Sequence, residues 1–467
     1  MIQNNFSTEP SSFRDNLGNV FYFDKKVIRT INELGKKNFE FILDKNILDE
    51  SFSNKFLVKT KIIDKQNLPN FFNKFEYVVE SDLIPYITYP YEWSFEQLKC
   101  AAIHHLDFQI FLFERGAILR DASAYNIQFV GSKPLFIDML SIKEYVDGDY
   151  WVGYKQFCEN FLNPLLLGSF KGIQHNAWFR GNLEGIQTVE LNKLLNIWDK
   201  FSLKTFSHVH MQAKLHNQSI KSSIQTSKKF KGLKKLSKSS YISIIKQLRD
   251  WISNLSFKKE NTIWQNYSKE NTYDETENIQ KKKIVSDYIK KRTPNSVIDL
   301  GCNDGDYSKL CIENGVKSVV GFDFDHNSIS RAFLKEKNKK KSFLPLVLDA
   351  SNPSPSQGWF QKERKGFLSR FKAEALIALA FEHHLIIAKN IPVGQFIDWL
   401  LNISNNGLIE FVPKTDETVQ KMLEFRDDIF PYYSEIEFEN SLKAKSDIIN
   451  KNVITKSGRV IYEYNIN

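Results

Sequence analysis

The sequence predicts two α/β halves. The C-terminal half is a mostly parallel sheet with helices on both faces, and the N-terminal half is a smaller α+β domain. Three observations carry this. From residue 296 onward, short apolar runs alternate with helix-like stretches, the pattern of parallel strands joined by crossover helices. Upstream, three oxygen-bearing side chains, Asp121, Asn126 and Asp138, are spaced around a predicted strand pair. Between them the composition turns polar and basic, as in a connector. The expected boundaries are 1–213, 214–270 and 271–467.

In chain order, residues 18–23 and 26–30 predict a hairpin and 38–43 a helix. Residues 75–80 and 83–88 read as strands. Ser94 is the expected N-cap of a helix, or a close pair of helices, that runs to Gly116, with apolar residues every three or four positions. Residues 127–130 and 134–137 are short strands around the turn Gly131-Ser132-Lys133, and 151–170 has a helical period. Within the connector, 241–255 is amphipathic. Then come a helix (279–291), strands at 296–300, 318–322, 343–348, 373–381 and 407–411, helices at 393–403 and 436–444, and a closing hairpin (452–455 with 458–464).

The composition, 42% apolar and 25% charged, supports packed cores in both halves. No run reaches the ~18 apolar residues of a spanning helix, and no basic and apolar leader opens the sequence, so a cytoplasmic location is expected. The cysteines, Cys100, Cys158, Cys302 and Cys311, form neither a CxxC pair nor a zinc spacing. His104 and His105, and His208 and His210, lack ligand spacing on a helix, so no metal is expected there. The net charge of +9 is localised: residues 204–260 hold 13 Lys and Arg against 2 Asp and Glu. The folded halves are therefore slightly acidic, which argues against nucleic acid as their partner. The basic run itself reads as solvated, although it would also suit an anionic membrane surface or a polyanion.

In the N-terminal half a carboxylate lies five residues before an amide. A hairpin and a second carboxylate follow. Phosphoryl transfer from a nucleotide uses such a set: Asp121 to orient or deprotonate a hydroxyl, and Asn126 and Asp138 to hold Mg²⁺. The rival reading is a shaped turn and a strand cap. In order and spacing the three positions resemble the protein-kinase and aminoglycoside-phosphotransferase superfamily. That resemblance implies a kinase-like domain using ATP and Mg²⁺. Departures are Leu119-Arg120 before the Asp, Met139-Leu140 after Asp138, and the lack of a GxGxxG loop or a VAIK lysine. Arg29 is the nearest substitute for the lysine, with Glu40 as its expected helix partner.

In the C-terminal half, the strand 296–300 ends in the turn Asp299-Leu-Gly301-Cys-Asn303-Asp304-Gly305. The next strand ends at Asp323, and the third ends at Asp349. Glycines allow close backbone approach, a helix start offers free N–H groups, and a carboxylate can take both hydroxyls of a ribose. Asn303 stands where a middle Gly is usual and tolerates left-handed φ. These residues resemble the class I S-adenosylmethionine-dependent methyltransferases over about residues 270–467, which implies a Rossmann-like fold. The resemblance assigns cofactor binding to Asp299, Gly301, Asn303, Gly305, Asp323 and Asp349, with Asp323 on the ribose and Asp349 near the adenine. A dinucleotide-binding domain fits less well, because the turn is GxxxG and an Asp closes the third strand too. His383 and His384 follow the fourth strand, where such a fold places acceptor-side residues, and either would serve as general base. Glu410, Lys414 and Asp416 are expected at the acceptor mouth. The N-P-P-[YF] motif of adenine and glutamine N-methyltransferases is absent.

The segments RDASAYNIQF, FIDMLSI, YPYEWSF, YWVGYKQF, ALAFEHHL and IEFVPKTD together resemble a bacterial family of long methyltransferase-like proteins that includes host-specific nodulation proteins. This implies modification of a surface or signalling glycan. The acceptor would be a glycan or a small hydroxylated or phosphorylated molecule, which the kinase-like domain phosphorylates or binds. The competing expectation is an inactive binding module, docked on nucleic acid or membrane by the basic segment.

Overall fold

A computed structural model describes residues 6–196, 198–199, 206–211, 237–258, 273–337, 339, 342–424 and 427–466. The chain forms two compact units. The first comprises Met1–Phe129, Pro134–Glu260 and Gln357–Arg364, and the second comprises Val130–Lys133, Asn261–Ser356 and Lys365–Asn467.

The first unit begins with an antiparallel sheet in the order β1-β2-β3-β5-β4, made of β1 (Phe6–Thr8), β2 (Gly18–Phe23), β3 (Lys26–Ile31), β4 (Thr60–Ile62) and β5 (Val78–Ser81). Helices α1 (Glu33–Asp44) and α2 (Ile47–Ser53) lie between β3 and β4. Phe21, Ile28, Phe72 and Val78 form one buried cluster on the sheet. The expected strand at 83–88 is absent. At its end a side chain takes the place of a neighbouring strand: Thr88 N–H donates to Gln128 Oε1 (2.7 Å), and Gln128 Nε2 donates to the Thr88 carbonyl (3.0 Å).

Helix α3 (Phe95–Phe113) starts in a capping box, in which Ser94 N–H donates to Gln97 Oε1 at 2.9 Å. It leads to β6 (Ala117–Leu119), β7 (Ile127–Val130), β8 (Lys133–Phe136) and β9 (Ile142–Glu144), which pair as β6 with β9 and β7 with β8. The helix expected at 151–170 is α4 (Tyr154–Phe157), a π turn (Cys158–Leu162) and α5 (Asn163–Lys171). Helices α6 (Asn176–Gly181) and α7 (Thr188–Leu194) follow. The basic connector was expected to be solvated. Residues 214–236 and 259–270 lie outside the described residues, but its amphipathic part forms α8 (Lys238–Ser253), which packs on α3. Gln109 donates to Tyr241 Oη (2.7 Å), Arg249 Nε donates to Asp107 (2.7 Å), and the rings of Phe113 and Tyr241 stack at 4.8 Å.

The second unit contains a seven-stranded sheet in the order β12-β11-β10-β13-β14-β16-β15. Its strands are β10 (Ser296–Leu300), β11 (Ser318–Asp323), β12 (Phe343–Val347), β13 (Ala375–Ala378), β14 (Asn406–Phe411), β15 (Asp447–Val453) and β16 (Val460–Asn465). The first five are parallel; β16 runs antiparallel to β14 and to β15. The near-continuous apolar strands reflect burial on both faces. The helices are α9 (Glu275–Arg292), α10 (Asp306–Glu313), α11 (His326–Glu336), α12 (Phe367–Arg370), α13 (Glu382–Lys389), α14 (Val393–Leu401), α15 (Glu417–Leu423) and α16 (Glu435–Lys443). Strand order reverses between β10 and β13, so the ligand crevice of such a sheet lies at their C-terminal ends. Five parallel strands closed by an antiparallel final hairpin are the Rossmann-like fold of the class I methyltransferases.

Candidate active site

In the second unit the β10–α10 turn carries three left-handed residues: Gly301 (φ 76°), Asn303 (φ 48°) and Gly305 (φ 82°). A Cβ at Gly305 would sit 2.3 Å from the ring of Phe343, so close packing as well as φ demands glycine there. The turn is tied to β11, because the N–H groups of Gly301 and Cys302 donate to the Phe322 carbonyl (2.8 and 3.0 Å). Asp323, at the end of β11, accepts from Asn303 N–H through Oδ2 and from Asp325 N–H through Oδ1, both at 2.9 Å. Each oxygen keeps acceptor capacity for one further donor. Burial raises its carboxyl to about 6.

Asp299 is buried and accepts from Ser308 Oγ at 2.6 Å, so it braces the first turns of α10; burial raises it to about 6 as well. Asp304 is paired with Arg331 and Lys335, each at 2.9 Å. Asp349 is exposed, and its carboxylate accepts from Ser351 N–H and Oγ (3.0 and 2.6 Å). The six predicted cofactor residues thus divide by task. Gly301, Asn303 and Gly305 shape the turn, Asp299 holds it, and Asp323 and Asp349 present carboxylates at strand ends.

On the acceptor side, the His383 and His384 rings lie 4.2 Å apart at the start of α13. His383 is buried, with Nδ1 3.4 Å from Glu382 Oε2. Glu382 is fixed in turn by Val412 N–H (2.7 Å) and Tyr433 Oη (2.9 Å). Burial, His383 and Arg459 push His384 down to about 3, so its imidazole is neutral and weakly basic. The expectation for Glu410, Lys414 and Asp416 needs correction. Glu410 is fully buried against Lys281 Nζ (2.7 Å), Asp416 accepts from Arg459 Nε and Nη2 (2.8 and 2.7 Å), and Lys414 pairs with Asp428 (2.7 Å). Burial acts to raise Asp416, but the Arg459 guanidinium holds it far below the carboxylate range. Tyr273, which carries no motif, joins them. Its hydroxyl meets Glu410 Oε1, Lys281 Nζ and Arg459 Nη1 at 2.5, 2.8 and 2.5 Å.

In the first unit, Asp121, Asn126 and Asp138 come together as expected. Asn126 Nδ2 donates to both Asp121 oxygens (3.3 and 3.2 Å). Ser141 Oγ lies 2.9 Å from Asp121 Oδ1 and 2.6 Å from Asp138 Oδ2, with one proton for either. Arg29 pairs with Asp138, not with Glu40, which accepts from Tyr77 Oη instead. Burial and the nearby Asp138 raise Asp121 to about 6. Burial works against the Asp138 charge, but Arg29 and Ser141 outweigh it and hold the carboxyl below its usual value. Gln156 Oε1 and Asn160 Oδ1 accept from the N–H groups of Ala122 and Ala124 (2.8 and 3.0 Å), fixing the loop from α4 and the π turn. The three predicted residues line a 670 Å³ cavity.

The remaining histidines are placed as follows. His104 Nε2 lies 3.0 Å from the Phe56 carbonyl, His105 is buried among aromatic rings, and the His210 side chain lies outside the described residues. Among the described residues no three His, Cys, Asp or Glu side chains are grouped to hold a metal, and no helix is long and apolar enough to cross a membrane.

No family model matches the chain. Structural similarity is found to N-methyltransferase NodS from Bradyrhizobium japonicum WM9 (9% identity, 41% of this chain and 98% of that one, TM-score 0.31). The PH0226 protein from Pyrococcus horikoshii OT3 gives 14% identity, 45% and 100% coverage, and a TM-score of 0.32. WbdD gives 16%, 47% and 46%, and 0.30. At these scores the fold assignment rests on strand order alone. In sequence, nodulation protein NoeA of Rhizobium meliloti (strain 1021) is 43% identical over 454 residues, 97% of this chain and 95% of that protein. Identity at that level, over nearly the whole of both chains, shows that this chain belongs to the family of nodulation protein NoeA.

Proposed function

We propose that the chain is a cytoplasmic S-adenosylmethionine-dependent methyltransferase acting on a glycan or a small hydroxylated or phosphorylated acceptor. The observation that carries this is Asp323, clamped by two backbone N–H groups beside the left-handed turn Gly301–Asn303–Gly305. The residues fit the cofactor. Asp323 offers one remaining acceptor position per oxygen for a ribose diol, and the glycines leave backbone unobstructed beside it. When bound, S-adenosylmethionine supplies an activated methyl group for in-line transfer. The chain must then position the acceptor and take up a proton. His383 is the better placed base, since Glu382 faces its Nδ1 and stabilises the imidazolium that forms. His384 suits orientation more than proton transfer.

The first unit is proposed to be kinase-like, phosphorylating or binding the same acceptor. Asp121 would orient or deprotonate a hydroxyl, while Asn126 and Asp138 would hold Mg²⁺, which neutralises nucleotide phosphates. One observation favours the second reading, an inactive binding module docked on nucleic acid or membrane through residues 214–270: Arg29 already neutralises Asp138. Two measurements on the full chain decide. Calorimetry should show S-adenosylmethionine binding that Asp323→Ala abolishes; equal affinity would remove the site assignment. Mg–ATP should raise the melting temperature, and Asp138→Asn should erase the rise; no rise would favour the inactive module.

A further inference from the structure

The segment Gln357–Arg364 lies in sequence between β12 and β13, yet it belongs to the first compact unit. Its ends are zipped together, because the N–H groups of Gln357 and Arg364 each donate to the other's carbonyl (2.8 and 3.0 Å). Gly358, Phe360 and Gln361 are left-handed, at φ 75°, 59° and 55°. Two successive non-glycine residues in that region are costly, and such strain persists only where surrounding contacts impose it. Those contacts are present. Gln357 Nε2 donates to the Arg180 carbonyl (2.7 Å), and Arg14 donates through Nε and Nη2 to the two Glu363 oxygens (3.1 and 3.2 Å).

The loop brings Gly358, Glu363 and Arg364 into the lining of the cavity that holds Asp121, Asn126 and Asp138. The Arg364 guanidinium lies 4.1 Å from the centroid of the Tyr125 ring, next in sequence to Asn126. Stacking occupies the guanidinium face and leaves its edge for acceptors. Along that edge Nη1 donates to the Glu363 carbonyl (3.1 Å), and Nη2 stands 3.8 Å from Glu363 Oε1. Nε is buried without a well-formed hydrogen bond, and so is Tyr125 Oη beside it. The two groups are packed against each other in the cavity lining, and a ligand that brings oxygen acceptors would complete hydrogen bonds that they make only imperfectly with one another.

We propose that Arg364 and Tyr125 form a phosphoryl-binding corner of this cavity, so that the first unit's site is completed by a loop encoded within the second half of the chain. A planar donor fork beside a hydroxyl matches the tetrahedral oxygens of a phosphoryl group. The inference rests on the phosphotransferase reading of the cavity and goes beyond it, since the residues assigned to that reading from sequence all lie at or before position 138. The phosphoryl group would belong either to a nucleotide or to a phosphorylated acceptor.

The test is calorimetry on the full chain with two probes, Mg–ATP and inorganic phosphate, for the parent, Arg364→Gln, Arg364→Lys and Asp138→Asn. The corner predicts about 10- to 100-fold weaker binding of at least one probe to Arg364→Gln, partly restored in Arg364→Lys. Weakening of Mg–ATP binding assigns the corner to the nucleotide, and weakening of phosphate binding alone assigns it to the acceptor. Mg–ATP binding lost in Asp138→Asn but untouched in both Arg364 variants would overturn the corner while leaving the phosphotransferase reading intact. Phosphate binding sensitive to Arg364, with no Mg–ATP binding, would do the reverse. Silence with both probes would end both ideas. An Arg364→Gln melting temperature within a few degrees of the parent separates lost binding from a displaced loop.

Discussion

Replacing Asp323 with Asn tests the cofactor site most directly. The folded carboxyl titrates at about 6 because it is buried, against about 3.9 in an unfolded chain. Between those values the folded protein binds more protons than the unfolded one. Stability from this group is therefore fullest below about pH 4 and is lost as pH rises through 6. Two units correspond to about 3 kcal/mol of cost at pH 7 for keeping the carboxylate ionised. Asn carries no such cost, so the ligand-free Asp323→Asn protein should be more stable at pH 7, by up to that amount. Part is forfeited because an amide cannot accept from both Asn303 and Asp325 N–H groups. Binding should move the other way. Loss of the charge-assisted bonds to a ribose costs about 1.5–3 kcal/mol, or roughly 10- to 150-fold in affinity. Calorimetric titration with S-adenosylmethionine from pH 5 to 7 supplies the signature. Parent affinity should rise about tenfold over that span as a group of pKa about 6 ionises, whereas the variant should be weak and nearly flat. Asp299 titrates in the same range, so Asp299→Asn is the control; it should loosen the turn held by Ser308 while keeping the pH slope. A variant that binds as tightly as the parent, or a parent that binds equally at pH 5 and pH 7, refutes the assignment.

Three further outcomes follow from the same unit. Lys281→Met leaves Glu410 buried without its nearest cation and should cost about 3–5 kcal/mol in urea unfolding, whereas Lys281→Met with Glu410→Met should recover most of it; a silent single variant would show that Arg459 suffices. Gly305→Ala forces a left-handed alanine whose Cβ lies 2.3 Å from the Phe343 ring, and should lose about 2–5 kcal/mol in thermal unfolding; retention of stability would mean that the turn can relax. His383→Gln should lower kcat by about 10²–10⁴ with S-adenosylmethionine affinity unchanged, and His384→Gln by less than tenfold; the opposite ranking would make His384 the base.

The second unit was legible because its signals are local. A parallel strand buried on both faces is an apolar run, and the run ends where a Gly or Asp turn begins, so β10, β11, β12 and β14 are found within two residues of where they lie. The errors arose where distant side chains replaced local chemistry. Residues 83–88 have the composition of a strand, but at Thr88 it is the Gln128 side chain that makes the hydrogen bonds a neighbouring strand would have made. Residues 241–255 read as an amphipathic helix in a solvated connector, whereas the helix at Lys238–Ser253 is packed, because a run of lysines conceals the stripe of Tyr241, Ile245, Leu248 and Ile252, all buried.

The site divides along the same line. Asp121, Asn126 and Asp138, like Gly301, Gly305 and Asp323, are close in sequence, and the chemistry that links them is the spacing itself. Glu410 and Asp416 looked like mouth residues for the same reason, each being a charge just inside or after a strand. Their partners, Lys281 and Arg459, are 129 and 43 residues away, and no pattern in the intervening sequence announces them. A charged residue at a strand end therefore has two fates, a ligand or a buried counter-ion, and sequence distance decides which of them can be read. Arg364 shows the limit of that rule. It is 238 positions from Asn126, it meets its nearest carboxylate only at 3.8 Å, and its buried Nε makes no hydrogen bond of good geometry. Arg459 closes its edge on Asp416 with two hydrogen bonds, whereas Arg364 reaches its nearest carboxylate only at 3.8 Å, and the proposed phosphoryl corner rests on that difference.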